Sequence, residues 1–302
     1  MLIRLRVRSF LLLASALAVT GSGCAKHGGR QGLPPPERVV LSAPVSVPMG
    51  FVGGRPTVAV RINGRGPYEV ILDTGAAGSV FSESLAIEWG LPRVGHATMT
   101  RPGGTEQAPA VLTRVETIEL GGLRLEGVAA VYTDMSQMQH HLGSPIAGVL
   151  SATMLDGLLV TYNYPAKRIE IRAGGLPAAD GRMVFDWPAN ERLLSVPMEI
   201  DGHATIIDID TGSNGGFTLP QTTTRGLAWL EGPVAAESIR TMDHSTPSAV
   251  GRLRGDIRIG QFTFSNPSIR TNDGVLATIG YDVLKDFVLT VDAKSRRFEL
   301  RK

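Results

Sequence analysis

Val70-Ile71-Leu72-Asp73-Thr74-Gly75-Ala76-Ala77-Gly78-Ser79 is the stretch around which this 302-residue chain is organised. Its aliphatic, partly β-branched start suits a buried strand. The run ends on a carboxylate, and the small residues after it suit a tight turn. Ile206-Ile207-Asp208-Ile209-Asp210-Thr211-Gly212-Ser213-Asn214-Gly215-Gly216 repeats the pattern in the second half. Each copy predicts a strand that delivers one acid, Asp73 or Asp210, to a turn. Asp-Thr-Gly alone is a weak signal, because Asp and Gly are ordinary turn residues. Its recurrence inside a longer repeat carries the weight.

Working outward, Ile62-Asn63-Gly64 precedes the first Asp by one hairpin arm, and Ile200-Asp201-Gly202 precedes the second at nearly the same distance. Downstream, Ile146-Ala147-Gly148-Val149-Leu150 is matched with Ala277-Thr278-Ile279-Gly280-Tyr281. Val160-Thr161-Tyr162-Asn163 is matched with Leu289-Thr290-Val291-Asp292, and Arg168 to Arg172 with Arg297 to Arg301. The order is the same in both halves, and each half has the size of a small domain.

These residues resemble the aspartic peptidase family, pepsin-like and retropepsin-like, from about residue 51 to the end. The family pattern is two apolar residues, Asp-Thr-Gly, then Ala or Ser, and later a hydrophobic-hydrophobic-Gly segment bracing the active turn. Here the braces are expected at Ile146-Ala147-Gly148 and Thr278-Ile279-Gly280, with Ala147 smaller than usual. The resemblance implies an all-β, bilobal fold of two related β-barrel lobes with the site in the cleft between them. The expected layout is a signal peptide over 1–23, a flexible tether over 24–50, lobes over 51–173 and 183–302, and a linker over 174–182. Because both halves lie in one chain, a monomer suffices to build the site.

The resemblance assigns catalysis to Asp73 and Asp210. Two carboxylates about 3 Å apart, as in the aspartic peptidase dyad, cannot both ionise and share one proton. The ionised member then serves as general base on a water and the other as acid, with no cofactor and no metal. Thr74 and Thr211 are expected to bond across the lobe junction, and Gly75 and Gly212 to let an amide approach each carboxylate. Ser213 is expected to donate a hydroxyl to Asp210, making Asp210 the more readily ionised member, since a hydrogen bond to the charged form lowers a carboxyl pKa. Ala76 has no hydroxyl to give Asp73.

Ile71 and Asp208 stand two residues before the acids, on the same strand face, and are expected to line the cleft. An acid at Asp208 either selects a basic substrate side chain and raises the dyad pKa, or pairs with a nearby arginine. Gly103-Gly104 marks a flap over the cleft, glycine-rich as in retroviral enzymes and without the tyrosine of pepsin-like ones. The corresponding region of the second half is Glu237 to Gly251, where His244 is expected in an exposed loop. The Met-rich stretch from Met135 to His141 is assigned to no element; in a strand His140 and His141 would point to opposite faces, and both are expected as surface residues rather than metal ligands.

Composition agrees with strands and turns: 36 glycines, 6% aromatic residues and few long helical patterns. The net charge is +2, and loss of Arg4, Arg6 and Arg8 with the signal leaves 27 basic residues against 28 acidic. A nucleic-acid partner is not expected without a basic stripe; the expected partner is a peptide or protein substrate. The N-terminus has a basic start, an apolar core from Phe10 to Val19 and Gly21-Ser22-Gly23-Cys24, which reads as an export signal. The core is short for a membrane span, which needs about 20 apolar residues. Cys24, the single cysteine, resembles a bacterial lipoprotein acylation site, although Gly21 replaces the usual aliphatic residue. Ordinary cleavage nearby, leaving a free thiol, is the other reading. The expected location is the periplasmic face of a membrane through a lipid anchor, or otherwise the periplasm or the exterior. A non-catalytic exported binding module on the same fold is the alternative to an endopeptidase.

Overall fold

The Ile62-Asn63-Gly64 and Ile200-Asp201-Gly202 signals form matching turns. Asn63 and Gly64 have φ of 49° and 76°, and Asp201 and Gly202 have φ of 49° and 76°. Two consecutive left-handed residues make the tight turn whose twist suits a two-residue hairpin. The first turn joins Arg55–Ile62 to Arg65–Asp73, and the second joins Leu194–Ile200 to His203–Ile209. Thr57 lies opposite Ile71 in one hairpin and Ser195 opposite Asp208 in the other.

The computed structural model describes residues 16–19, 32–100, 107–188, 193–240, 245–274 and 277–302. Cys24, Gly103, Gly104 and His244 lie outside the described residues, and so does most of the expected signal. Its four described residues, Ala16–Val19, run antiparallel to Gly95–Thr100. None of the described helices is long and apolar enough to cross a membrane.

Among the described residues the strands form sheets of ten, six and nine strands, and the fold is all-β. The ten-stranded sheet carries Asp73 and the nine-stranded sheet carries Asp210. The six-stranded sheet joins the halves. At its centre Leu159–Asn163 pairs antiparallel with Val288–Asp292, Thr161 opposite Thr290, their hydroxyls 3.0 Å apart. Arg168–Arg172 flanks this pair on one side and Arg297–Arg301 on the other. The matched repeats of the sequence thus meet around a pseudo-twofold axis. The core is continuous across the halves, running from Val58, Leu72 and Phe81 through Val160 and Tyr162 to Ile209, Leu289 and Phe298.

Two expectations are corrected, and the unassigned stretch is placed. The tether is shorter than 24–50, because Arg38–Leu41 pairs with Leu123–Thr133 and Val45–Pro48 pairs with Arg168–Arg172. Val45 and Met49 are buried, and apolar alternation at Val45 and Val47 was enough to recruit an edge strand despite the flanking prolines. The segment around His140-His141 is a helix, Ser136–Leu142, closed by Gly143 at φ 61°; the glycine supplies the left-handed residue that ends many helices. The brace in the first half is displaced by three residues from Ile146-Ala147-Gly148. Gly148–Ser151 runs parallel to Arg65–Asp73 with Leu150 opposite Leu72 and Ser151 opposite Asp73, whereas Ile279 lies opposite Ile209. Val149-Leu150-Ser151 therefore corresponds to Thr278-Ile279-Gly280, and a serine stands where the second half has glycine.

That substitution is accommodated by hydrogen bonding. Ser151 Oγ donates to Ala76 O at 2.6 Å, and Ser151 N–H donates to Ser79 Oγ at 3.0 Å. In the second half main-chain bonds tie the turn to its brace: Gly280 N–H to Gly216 O at 3.2 Å and Tyr281 N–H to Ser213 O at 2.9 Å. A side chain at Gly280 would put its Cβ 2.6 Å from Ser213 O.

Candidate active site

Leu72 and Ile209 end buried strands, and the next residue in each case is the acid. Asp73 and Asp210 are 2% and 1% exposed. Each accepts from the amide of the glycine two residues on: Gly75 N–H to Asp73 Oδ1 at 2.6 Å and Gly212 N–H to Asp210 Oδ1 at 2.8 Å. The two acids come together. A Cβ on Gly75 would lie 2.9 Å from Asp210 Oδ1 and 3.1 Å from Asp73 Oδ1. Only glycine leaves room for the amide between them.

The threonines lock the turns to each other. Thr74 N–H donates to Thr211 Oγ1 at 3.0 Å, and Thr211 N–H donates to Thr74 Oγ1 at 3.1 Å. Each hydroxyl in turn donates across the junction, Thr74 to Ile209 O at 3.2 Å and Thr211 to Leu72 O at 3.0 Å. All four bonds cross between the halves and obey the pseudo-twofold relation. Thr211→Val keeps the shape but strands the Thr74 amide and the Leu72 carbonyl in a dry interior. Unsatisfied buried groups cost about 1–3 kcal/mol each, so a loss on the order of 3 kcal/mol is expected from denaturant unfolding. A loss no larger than that of an exposed threonine, such as Thr263→Val, would show that the cross-lobe bonds carry little.

Burial dominates the electrostatics. It lifts the Asp73 carboxyl to about 6, against the lowering effect of its amide donors and of Arg55. Asp210 is raised well above the usual carboxylate range, first by burial and then by the Asp73 charge, with a smaller push from Asp208. Asp73 also takes a hydrogen bond from Asp210, which requires a proton on one member. Oδ2 of Asp210 receives no hydrogen bond from the described protein, so a proton there displaces no donor. Burial raises both carboxyls, so the pair as a unit holds on to a proton.

The hydrogen bond expected from Ser213 to Asp210 is not made among the described residues. The Ser213 hydroxyl accepts from Gly215 N–H at 3.3 Å and its carbonyl accepts from Tyr281 N–H. It braces the turn and leaves the Asp210 carboxyl alone. The residue type is legible locally, but the direction of the hydroxyl depends on the Gly280 segment packed against it.

Ile71 is fully buried in an apolar cluster beside Asp73 that includes Val52, Met99, Met135 and Ile146. Met135 and Met138 come from the Ser136–Leu142 helix and its approach, which sequence reading could not place; their i, i+3 spacing was the available signal. Leu33, from the expected tether, packs against the same cluster, contacts Gly78 and points its amide at Ala77 O at 3.4 Å. Asp208 is half-buried and accepts from Ser195 Oγ at 2.6 Å. Gly95–Thr100 and Gln107–Leu120 pair as the arms of the expected flap, Thr100 opposite Gln107. In the second half Trp229–Arg240 and Ser245–Leu253 form the corresponding hairpin. Among the described residues no three His, Cys, Asp or Glu side chains converge as a metal site.

Residues 58–154 match the sequence model of a family described as aspartyl protease. The matched segment contains Asp73 and its brace and ends well before Asp210. No curated protein matches the chain.

Proposed function

We propose, from the premise that residues 58–154 belong to the aspartyl protease family, that the whole chain is an aspartic endopeptidase with Asp73 and Asp210 as its dyad. The observation that supports it most is the pair of buried acids joined by the four threonine bonds, because the second acid lies outside the family match. The ionised member takes a proton from a water held between the carboxyls. The water oxygen attacks the peptide carbonyl while the protonated member donates toward the carbonyl oxygen as charge develops there. The proton taken from the water then passes to the leaving nitrogen, and the acid pair returns to its singly ionised state. The dyad supplies base and acid in one step, a contribution of roughly 10²–10⁴-fold for such proton transfer. Substrate lies extended between the hairpin arms and the cleft walls, and Ile71, fully buried in the core behind Asp73, supports the strand instead of lining the cleft.

The test is cleavage of a peptide library by the purified full chain, read by mass spectrometry, with Asp73→Asn as the control. Cleavage by the wild type alone supports the assignment. Equal products from both, or none from either across pH 3 to 8, overturn it in favour of a binding module. Within this reading the chain is exported, held at a membrane by Cys24 and active as a monomer.

Asp208 sets a preference. Its half-buried carboxylate stands two residues before Asp210, and its charge opposes ionisation of that acid. Asp208→Asn is expected to move the alkaline limb of the pH–rate profile to lower pH, since Asp210 then loses its proton more easily. It should also cut kcat/KM several-fold on peptides with Lys or Arg and spare apolar ones. An unchanged profile and an unchanged preference together would assign Asp208 a purely structural bond to Ser195.

A further inference from the structure

Arg55 is the only buried arginine or lysine among the described residues, with none of its surface exposed. It follows the Gly53-Gly54 turn, whose residues have φ of 55° and 82°, and begins the strand that pairs with Arg65–Asp73. Nη1 donates to Gly53 O at 3.0 Å, which fixes the guanidinium against its own turn. Nε donates across the lobe junction to Gly212 O at 2.8 Å. Gly212 is the glycine whose amide holds Asp210, so Arg55 grips the second active turn from the first half.

The repeat is broken at this residue. Thr57 and Ser195 hold equivalent places opposite Ile71 and Asp208, and two residues earlier the pair is Arg55 and Leu193. One buried cation therefore serves two buried acids. A charge in a dry interior is tolerated only when it is paired. A guanidinium with a singly protonated acid pair sums to zero net charge, whereas a fully ionised or fully protonated pair does not.

We propose that Arg55 is a positioning residue of the dyad, tying the Asp210 turn to the first lobe and, through its fixed charge, holding the acid pair in its singly ionised state. The proposal rests on the dyad reading above. The charge effect runs both ways: burial pulls the pKa of Arg55 down to about 10 while the two acids raise it, and Arg55 lowers the pKa of both acids. The other groups facing the pair are Asp208, which opposes ionisation of Asp210, and the buried phenols of Tyr162 and Tyr164, which burial keeps neutral. None of these can replace a cation.

The experiment is a carboxyl-carbon NMR titration of ¹³C-aspartate-labelled full chain, run beside the pH–rate profile, for wild type, Arg55→Lys and Arg55→Gln. In Arg55→Gln the first ionisation of the pair is expected to rise by about one pH unit or more, and the acidic limb of kcat/KM to rise with it. Arg55→Lys, which keeps the charge and loses the fork, should titrate much closer to wild type. Loss of activity with an unmoved titration in Arg55→Gln would overturn the proposal and leave Arg55 a structural strut, as would equal shifts in both variants. Should Arg55→Gln prove too unstable to titrate, its unfolding cost is compared in wild-type and Asp73→Asn backgrounds. A smaller cost in the second is expected, and additive costs overturn the proposal. A wild type that cleaves no peptide while its titration still depends on Arg55 would count against the peptidase reading alone.

Discussion

Asp73→Asn and Asp210→Asn are each expected to lower kcat/KM for peptide hydrolysis by at least about 10³-fold while leaving the fold intact. Each replaces one partner of a coupled proton transfer worth about 10²–10⁴-fold by itself, and neither remaining acid can act as base and acid at once. The amide is nearly isosteric with the carboxyl. Its oxygen still accepts from Gly75 or Gly212, whose bonds to the native acids are 2.6 and 2.8 Å. The threonine bonds involve no atom of either acid. Loss of activity with unchanged circular dichroism and unchanged affinity for a peptide is therefore the expected pattern. Residual turnover within ten-fold of wild type in either variant would place the reacting groups elsewhere.

The same two substitutions should raise stability at neutral pH. The Asp73 carboxyl goes from 3.8 in the unfolded chain to about 6 in the folded one, and this rise corresponds to on the order of 3 kcal/mol. A raised carboxyl favours the folded state while it is protonated. Its contribution is complete below about pH 4 and is lost as pH rises through about 6. Wild-type stability from this source should fall between pH 4 and 7, with a further fall at higher pH as Asp210 ionises. Asp73→Asn removes one transition together with the charge that raises Asp210, so a single transition, that of Asp210, should remain in the dependence of its melting temperature on pH. Parallel curves for wild type and variant would mean that burial of the acid carries little free energy. A site that favours activity at the expense of stability is the usual trade at buried catalytic acids.

The two effects have one origin. Asp73 and Asp210 are desolvated because each follows the buried end of its strand, where Leu72 and Ile209 are fully buried. Desolvation alone would protonate both acids. The amides of Gly75 and Gly212 and the guanidinium of Arg55 oppose it, and the balance leaves one carboxylate beside one carboxylic acid.

Much of this was legible in the residue order because it is local and repeated. The Asn63-Gly64 and Asp201-Gly202 turns and the apolar runs ending at Asp73 and Asp210 are specified within a few residues by backbone preferences. The match of Thr161 with Thr290 was also correct, since the two lie opposite each other at the centre of the joining sheet. The bonds expected between Thr74 and Thr211 across the junction are also present, but two other readings that depended on distant packing were off. The brace was set three residues early, because Ile146-Ala147-Gly148 and Val149-Leu150-Ser151 are equally apolar. Only the parallel register with Leu72 separates them. Ser213 was aimed at the wrong group for the same reason.

By itself, then, the sequence determined that this chain is built from two related β halves, each presenting an Asp-Thr-Gly turn at the end of a buried strand. Those features depend on periodicity and turn chemistry that a few neighbouring residues enforce. The tertiary structure alone decided that burial raises both acids and that Arg55 reaches Gly212 from 157 residues away. Desolvation and charge coupling depend on what surrounds a group in space, and that environment is assembled only when the halves close on each other.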